Sequence, residues 1–454
     1  MSYPAQRTAS QSITTGDTTV SLTALINARP VGGFQILTII LCSLLVFAEG
    51  YDAQAIAYAA PAISAAWGIG KGPLVPVFGA GLTGIMLGSL VLSPLSDRVG
   101  RRGVILISTL AFALLSIATV FARDPTGLAI IRLLTGFGIG GAMPNAIALT
   151  SEFSPAAKRP LLVILMFCGF SLGSAIGGII AVALIPHFGW QAVFWFGGLM
   201  PLVLMPFLYV LLPESITFLA SRNGADPRAL WLLSRIAPDA PPASRVLLDE
   251  EKTSRGSVLE LLAHGRLLMT ALVWTVFFMS LLDLNLIVAW LPTTLATSGA
   301  KMGAAVFAGS MFQFGGIAGS LIVAFYAQRL GLGRIMAGAY VIAALSIALV
   351  AGSHDGSLVT MLAVAGAGIG VIGGQCGANA LAAAYYPTTI RSTGVGWAFG
   401  VGRVGSIVGP VVGGTLLAMK MPAQQLFLLC IVPILIAALA SAIVQRRINR
   451  APLA

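Results

Sequence analysis

The stretch GSLVLSPLSDRVG, from Gly88 to Gly100, recurs later in the chain as GSLIVAFYAQRLG, from Gly319 to Gly331. Glycine, serine, leucine, arginine and glycine match at the same places, and each is 231 residues from its counterpart. A constant offset of this kind indicates an internal repeat. The stretch therefore predicts a chain built from two related halves.

A second pair of segments extends the repeat. SPAAKR ends at Arg159 and matches YPTTIR, which ends at Arg391, at an offset of 232. The register then holds through the segment that follows, where Phe167, Gly173, Ser174 and Gly177 match Phe399, Gly405, Ser406 and Gly409. The duplication therefore covers several consecutive segments of each half.

The composition predicts that both halves lie in a membrane. Of 454 residues, 57% are hydrophobic and 9% are charged, a profile typical of a polytopic membrane protein. Apolar stretches of about twenty residues, long enough to cross the hydrocarbon core as helices, recur along the chain. We predict twelve spans, at residues 34–58, 75–96, 104–122, 128–150, 160–186, 192–212, 269–295, 303–327, 334–352, 357–383, 392–418 and 424–446.

The predicted fold class is an all-α membrane protein in which twelve transmembrane helices form two pseudo-symmetric six-helix halves. A parallel repeat relates the halves by an axis along the membrane normal and puts a cavity between them near the midplane. The predicted parts are a disordered tail at 1–30, a six-helix bundle at 31–212, a central loop at 213–268, a second bundle at 269–446 and a short tail at 447–454.

The basic residues decide the orientation and exclude one class of function. The net charge of +11 could suit a protein that binds nucleic acid. In a twelve-span arrangement, however, most of the basic residues share one side with both termini and the central loop, and the other side has only Lys71, Arg123, Lys301 and Lys420. The positive-inside rule makes the first side cytoplasmic. We therefore expect both termini in the cytoplasm and no nucleic-acid partner.

The loop after the second span reads SPLSDRVGRR and ends at Arg102. It resembles the signature G-x-L-x-D-R-x-G-R-R of the major facilitator superfamily, with Ser93 in place of the usual glycine. The resemblance implies a cytoplasmic gate whose charges pair differently in two conformations. The gate residues implied are Asp97, Arg98, Gly100, Arg101 and Arg102, and Arg391 at the start of the eleventh span is a further candidate. The alternative is an ordinary positive-inside loop. Gln328 stands at the aspartate position of the second half, which predicts a weaker gate there.

Further segments resemble the aromatic acid:proton symporter branch of this superfamily. They are EGYDAQAIAYAAPAI, LTGFGIGGAMPNAIALTSE, GWQAVFWFGG, LPES and IRSTGVGWAFGVGRVGSIVGP. The branch has D-G-x-D in the first span, whereas this chain has Glu49, Gly50 and Asp52. The resemblance implies a secondary transporter that imports a small aromatic carboxylate, of the benzoate, hydroxybenzoate or phenylpropanoate type, with protons across a bacterial inner membrane. We expect a monomer in the lipid bilayer that uses no cofactor or metal and is not an enzyme.

Proton coupling requires a buried carboxylate, because burial disfavours the charged form of an acid. Glu49 and Asp52 are three residues apart, so they lie on one face of the first span and should titrate as a coupled pair. Asp283 is 231 residues after Asp52 and is a candidate for a second proton carrier. We expect Asp52 to carry the proton, with Glu49 sharing it or shaping the pocket. The alternative is that one of these acids only neutralises a structural arginine.

The substrate anion requires a buried cation, and guanidinium suits a carboxylate because it can bind it in bidentate fashion. Arg403 in the eleventh span is the first candidate, and Arg132 in the fourth span is the second. The glycines around Arg403, at Gly400, Gly402 and Gly405, would leave room for a ligand. The alternatives are an Arg403 paired permanently with an acid, and an Arg132 that reaches the membrane interface. Candidates for contacts to the ring and its hydroxyl groups are Asn145, Asn285, Trp290, Trp397 and Tyr58, all of which could equally be packing residues.

The alternative function is a proton-coupled exporter of drugs or metabolites. A G-x-x-x-G-P-x-x-G-G pattern in the fifth span would be the exporter-like feature. The corresponding segment here, GFSLGSAIGG, has Ser174 at the proline position. The sequence also lacks the G-x-x-x-x-G-K-[ST] loop that binds ATP phosphates. Import driven by an ion gradient is therefore the prediction that the residues favour.

Overall fold

The structure is a computed structural model that describes residues 19–70, 72–239, 245–247, 261–263, 266–352, 357–386 and 391–450. Within these ranges, twelve helices are long and apolar enough to cross a membrane, as predicted. The elements in chain order are β1 (Thr19–Ser21), α1 (Leu22–Asn27), α2 (Gly33–Trp67), α3 (Val75–Val99), α4 (Arg101–Thr119), α5 (Pro125–Glu152), α6 (Arg159–Phe188), α7 (Gln191–Leu211), α8 (Ile216–Arg222), α9 (Pro227–Ile236), β2 (Arg245–Leu247), α10 (Leu267–Thr297), α11 (Met302–Leu330), α12 (Leu332–Gly352), α13 (Leu358–Tyr385), α14 (Arg391–Ala418) and α15 (Ala423–Arg450). The first half consists of α2 to α7 and the second half of α10 to α15.

Local sequence signals set several helix ends. Asp124 accepts a hydrogen bond from the backbone N–H of Gly127 at 2.9 Å, and Pro125 is the first residue of α5. The first span, predicted to end at residue 58, continues to Trp67 because the sequence offers no stop signal before Gly68, which is left-handed with a φ of 63°. Pro61 lies inside this helix, and membrane helices tolerate such prolines.

The packing confirms the duplication. Helix α3 packs on α5 as α11 packs on α13, and α2 packs on α6 as α10 packs on α14. A Cβ atom added to Gly88 would lie 2.1 Å from the carbonyl oxygen of Phe137, and one added to Gly319 would lie 2.1 Å from that of Ile369. Equivalent glycines therefore permit equivalent close helix contacts in the two halves.

We expect Gly88→Ala and Gly319→Ala each to lower the melting temperature of the detergent-purified protein. The added methyl group would push the helices apart, and overpacking of this kind costs about 1–3 kcal/mol. Gly338→Ala is the matched control, because a Cβ there has nothing within 4 Å. Thermal unfolding of the three variants beside the parent checks this; unchanged melting temperatures for both buried sites would contradict the packing.

The two halves contact each other on the side of the membrane away from the termini. We call this the opposite side, and we call the side of the termini and the central loop the terminus side. The contacts form a seam in which Phe78 of α3 lies against Trp290 of α10, with ring centroids 4.8 Å apart. In the same seam, Ser310 of α11 donates a 2.6 Å hydrogen bond to the carbonyl oxygen of Ala175 in α6.

One face of α14 meets the first half at the seam and is uncovered further towards the terminus side. A Cβ added to Gly79 of α3 would lie 3.3 Å from the side chain of Val411 on α14, so these two helices touch there. Gly400 lies eleven residues, or about three turns, before Val411 on the same face. A Cβ at Gly400 would have nothing within 4 Å. This face of α14 is therefore closed at the seam and open at Gly400, towards the terminus side.

Three predictions about the segments outside the spans need correction. Residues 19–27, predicted as part of a disordered tail, form β1 and α1, since β1 pairs in parallel with β2 and α1 buries Leu22 and Ile26; residues 1–18 lie outside the described residues. The central loop contains α8 and α9, which bury apolar residues such as Leu219 and Leu233. Helix α15 continues to Arg450 through part of the predicted tail, and residues 451–454 are outside the described ranges.

Candidate functional site

Asp52 forms a buried ion pair inside the first half. Its Oδ2 accepts a 2.9 Å hydrogen bond from Nη1 of Arg132, and Ser116 donates to its Oδ1 at 2.6 Å. Arg132 also donates from Nη2 to the backbone oxygen of Asp52 at 3.0 Å. Helices α2, α4 and α5 thus supply one closed polar cluster. Because Arg132 is 3% exposed, its predicted alternative position at the membrane interface is wrong.

Glu49 lies one turn before Asp52 on α2 and has a different environment. Its side chain is fully buried, and within the described part of the chain neither carboxylate oxygen has a hydrogen-bond partner. The two acids are therefore not equivalent: Asp52 has a counter-ion, and Glu49 has none within the described ranges. Both lie within the first half, and neither side chain is exposed to the opening between the halves.

Asp283 is buried at the corresponding position of α10. The register of the duplication replaces the two partners of Asp52 by apolar residues, because Ile347 stands for Ser116 and Val364 stands for Arg132. Among the described residues, neither carboxylate oxygen of Asp283 has a conventional hydrogen-bond partner, although the thiol of Cys430 lies beside it. The second half thus has the equivalent acid but no arginine at the position of Arg132.

Arg403, the first candidate for the anion site, lies on α14 within the described ranges. It is partly exposed, and no ion pair or hydrogen bond within those ranges engages its guanidinium. It lies eleven residues before Gly414, which contacts Trp290 and Val75 in the seam, and so shares its face of α14. Arg403 therefore points towards the space between the halves, about three turns from the seam on its open side.

The glycines around Arg403 do not all leave room for a ligand, as the sequence had suggested. A Cβ at Gly402 would lie 2.6 Å from Leu281, and one at Gly405 would lie 2.4 Å from the backbone oxygen of Phe278. These two glycines allow α14 to pack on α10. Only Gly400 of the three predicted positions faces open space.

The predicted wall residues divide into two groups. Tyr58 and Trp290 belong to the seam: the Tyr58 hydroxyl donates to the backbone oxygen of Ser174 at 2.9 Å, and Trp290 Nε1 donates to that of Pro410 at 2.8 Å. Trp397 is 45% exposed on the terminus side of α14 and stacks on Trp274, with centroids 5.9 Å apart.

The two predicted amides bond within their own helices. Asn145 is buried and donates from Nδ2 to the backbone oxygen of Gly141 at 2.8 Å. Asn285 is half-buried and donates to that of Leu281 at 2.9 Å. Each bond leaves the amide oxygen available, so neither contact by itself assigns a substrate role.

The gate loop is held by acids that the sequence analysis did not select. Gly100 has a φ of 100°, which favours glycine, and it lets the chain turn against the carboxylate of Glu214. Glu214 Oε1 accepts hydrogen bonds from the backbone N–H groups of Arg101 and Arg102 at 2.8 and 3.1 Å. It thereby caps the N-terminus of α4.

A second acid, Glu152 at the end of α5, forms an ion pair with Arg101 and accepts a 2.6 Å hydrogen bond from Ser215. Glu152 and Glu214 lie in the segments LTSE and LPES, which resemble the symporter branch. Their distance along the sequence from the gate loop did not indicate that they contact it. The guanidinium of Arg102 bonds to the backbone oxygen of Tyr209, and that of Arg222 bonds to the backbone oxygen of Arg98. The side chains of Asp97 and Arg391 lie outside the described part of the chain.

The second half has a neutral version of this cap. Gly331 turns with a φ of 83°, and Gln445 accepts a 2.8 Å hydrogen bond from the backbone N–H of Gly333. Gln445 is 231 residues after Glu214, the offset of the opening stretch. The cap of the second half is therefore uncharged at this position, and the weaker gate predicted from Gln328 stays a prediction.

Comparison with known proteins agrees with this geometry. The model of the Major Facilitator Superfamily matches residues 42–376 and 273–453. A gallate transporter of Pseudomonas putida is 37% identical, over 93% of this chain and 95% of that protein. The 4-hydroxybenzoate transporter PcaK of Acinetobacter baylyi is 38% identical, over 95% and 96%, and the 3-(3-hydroxy-phenyl)propionate transporter of Escherichia coli is 35% identical, over 91% and 95%.

Solved structures show the same fold at low identity. The xylose transporter XylE of E. coli, in a partially occluded inward open conformation, superposes with a TM-score of 0.69 at 16% identity over 93% of this chain and 98% of that one. A bacterial homologue of the lysosomal transporter Spinster superposes with a TM-score of 0.67 at 13% identity, over 93% and 99%.

Proposed function

The chain belongs to the Major Facilitator Superfamily, and we propose that it imports a small aromatic carboxylate together with protons across a bacterial inner membrane. The single observation that carries the proposal is Arg403. It is an unpaired guanidinium among the described residues, and it faces the space between the halves near the middle of α14. A guanidinium that is only partly exposed and has no anionic partner in an apolar helix is costly, and a substrate carboxylate would supply the missing charge.

The aromatic nature of the substrate rests on the relatives and on the chemistry of the walls. Relatives at 35–38% identity are named for gallate, 4-hydroxybenzoate and 3-(3-hydroxy-phenyl)propionate, each an aromatic acid. Towards the terminus side of α10 and α14, Trp397 stacks on Trp274, and Phe277 and Phe399 pack 5.3 Å apart. Aromatic rings pack well against such surfaces.

Glu49 is the proton carrier that the contacts favour. An ionised carboxylate buried without a partner is far more costly than a neutral one, which favours a proton on Glu49, whereas Asp52 has Arg132 as its counter-ion. Release of that proton would create a second negative charge three residues from Asp52 and compete for Arg132. This assignment reverses the order expected from the sequence, and Asp283 is a second candidate for a proton carrier by the same reasoning.

Alternating access supplies the transport cycle. With the terminus side as the cytoplasm, the structure is open to the cytoplasm and closed at the seam of Phe78, Trp290 and Tyr58. Opening of that seam would be accompanied by closure on the terminus side, where the Glu214 and Glu152 contacts hold the gate loop to the first half. Such a closure would rearrange the ion pair of Arg101 with Glu152 and the hydrogen bond of Arg102 to Tyr209.

Competition in proteoliposomes tests the substrate class. We expect benzoate, 4-hydroxybenzoate or 3-(3-hydroxyphenyl)propionate to be taken up faster than by protein-free vesicles. Benzamide keeps the ring and lacks the charge, so it should not compete, and cyclohexanecarboxylate keeps the charge and should compete poorly. Uptake of none of the aromatic acids would contradict the proposal.

A further inference from the structure

Gln375 of α13 is a buried amide that the proposed transport site does not use. Its side chain is 8% exposed, and within the described ranges its Oε1 atom is buried without a hydrogen-bond partner. Its Nε2 donates to Oδ1 of Asn379, one turn later, at 3.1 Å. The donor end of the amide is thus engaged, and the acceptor end is not.

Helical spacing defines the direction of Gln375. It lies seven residues after Gly368, whose added Cβ would meet the backbone of Phe312 on α11. It also lies eleven residues after Val364, which stands at the position from which Arg132 reaches α2 in the first half. Residues at these spacings share a face of the helix. Gln375 therefore points between α10 and α11, the two helices that line the second half of the opening along with α14.

Gln375 and Arg403 lie at similar depths. Gln375 is ten residues from the terminus-side end of α13 at Tyr385, and Arg403 is twelve residues from the terminus-side end of α14 at Arg391. At a rise of about 1.5 Å per residue, these depths are roughly 15 and 18 Å. A cation and an unsatisfied acceptor therefore lie at one level of the second half, on helices that contact each other.

We propose that Gln375, oriented by Asn379, accepts a hydrogen bond from a hydroxyl group on the ring of the transported acid. The inference rests on the proposed function and names the substrate class more narrowly, as hydroxylated aromatic carboxylates. In this arrangement Arg403 binds the carboxylate, and Gln375 distinguishes a ring with a hydroxyl group from a ring without one. In the first half, the register of the duplication puts Met143 at the position of Gln375, so the acceptor belongs to one half only.

The physical basis is the cost of an unpaired polar group. A buried acceptor that finds no donor costs about 1–3 kcal/mol, and sites built to bind a hydroxyl reject the analogue that lacks it. Benzoate would leave Oε1 unpaired, whereas a hydroxybenzoate would satisfy it. A ring substituent that can only accept a hydrogen bond should give no advantage.

The test compares Gln375→Met with the parent in proteoliposomes, using inhibition of labelled substrate uptake by benzoate, the three monohydroxybenzoates and 4-fluorobenzoate. We expect at least one hydroxybenzoate to bind the parent about tenfold more tightly than benzoate, as one such hydrogen bond allows, and 4-fluorobenzoate to resemble benzoate. Gln375→Met should bring the preferred hydroxybenzoate to the affinity of benzoate and leave benzoate binding within about twofold.

The matched control is Gln425→Met, the same change at an exposed position on the opposite side. It should keep the preference of the parent. The inference is overturned if Gln375→Met keeps the preference for a hydroxybenzoate over benzoate, or if the parent binds benzoate and all three hydroxybenzoates equally. In either case, uptake of benzoate would leave the proposed function intact. Absence of uptake of every aromatic acid would instead contradict the proposed function itself.

Discussion

Arg403→Lys is expected to weaken the binding of an aromatic carboxylate by about 10- to 100-fold, corresponding to the roughly 1.5–3 kcal/mol of a hydrogen bond to a charged group. Lysine keeps the charge, but a point charge on a flexible stem replaces the planar fork that can hold both carboxylate oxygens. The guanidinium has no ion pair among the described residues, so little of the loss should come from a broken internal contact. The dissociation constant of the purified protein, measured by calorimetry, checks the result.

Arg123→Lys is the matched control for this substitution. Arg123 is exposed in the turn between α4 and α5 on the opposite side, away from both gate loops. The control should bind like the parent, and both variants should unfold at the temperature of the parent. An unchanged dissociation constant in Arg403→Lys would move the anion site elsewhere, with Arg132 as the next candidate.

Glu49→Gln is expected to abolish accumulation of substrate while preserving its exchange across the membrane. Glutamine has the shape of the protonated acid and cannot release a proton, so the carrier should still alternate but should no longer be driven by a pH gradient. Because Glu49 has no partner among the described residues, its replacement breaks no ion pair. Counterflow of labelled substrate and uptake under an imposed pH gradient separate the two activities.

Asp52→Asn provides the comparison. It removes the counter-ion of Arg132, and breaking a buried pair on one side costs about 3–5 kcal/mol. This variant should therefore lose both accumulation and thermal stability, whereas Glu49→Gln should lose accumulation alone. If Glu49→Gln concentrates substrate like the parent, Glu49 is not the coupling residue; if Asp52→Asn does so, Asp52 has no part in coupling.

The fold followed from the sequence because both of its signals are repetitive. Apolar runs long enough for the bilayer predict spans, and the offset between Gly88 and Gly319 predicts the halves. Residues at this offset also make equivalent contacts, since both glycines lie against a backbone carbonyl of the neighbouring helix. The ends of spans were harder to predict, as with α2, because a helix in a membrane continues past Pro61 until a left-handed glycine stops it.

The site was only partly predictable. Arg403 and Asp52 were recognisable as charges in apolar helices, but the partner of Asp52 is 80 residues away on another helix, and spacing alone does not pair them. Glu214 and Glu152 were missed because a cap contributed by a distant loop leaves no local pattern at the helix it caps. Gln375 was missed because an uncharged amide in an apolar helix is as typical of packing as of binding.

The measurement that tests the account most directly is uptake of 4-hydroxybenzoate by proteoliposomes whose lumen is one pH unit more alkaline than the medium. Protein-free vesicles and Glu49→Gln proteoliposomes serve as controls, because the uncharged acid can itself cross lipid and become trapped as its anion in the alkaline lumen. We expect the initial rate to exceed both controls and to fall to their level when a protonophore with valinomycin and potassium collapses the gradient. Uptake by the parent at the same rate with and without the gradient would contradict proton-coupled import.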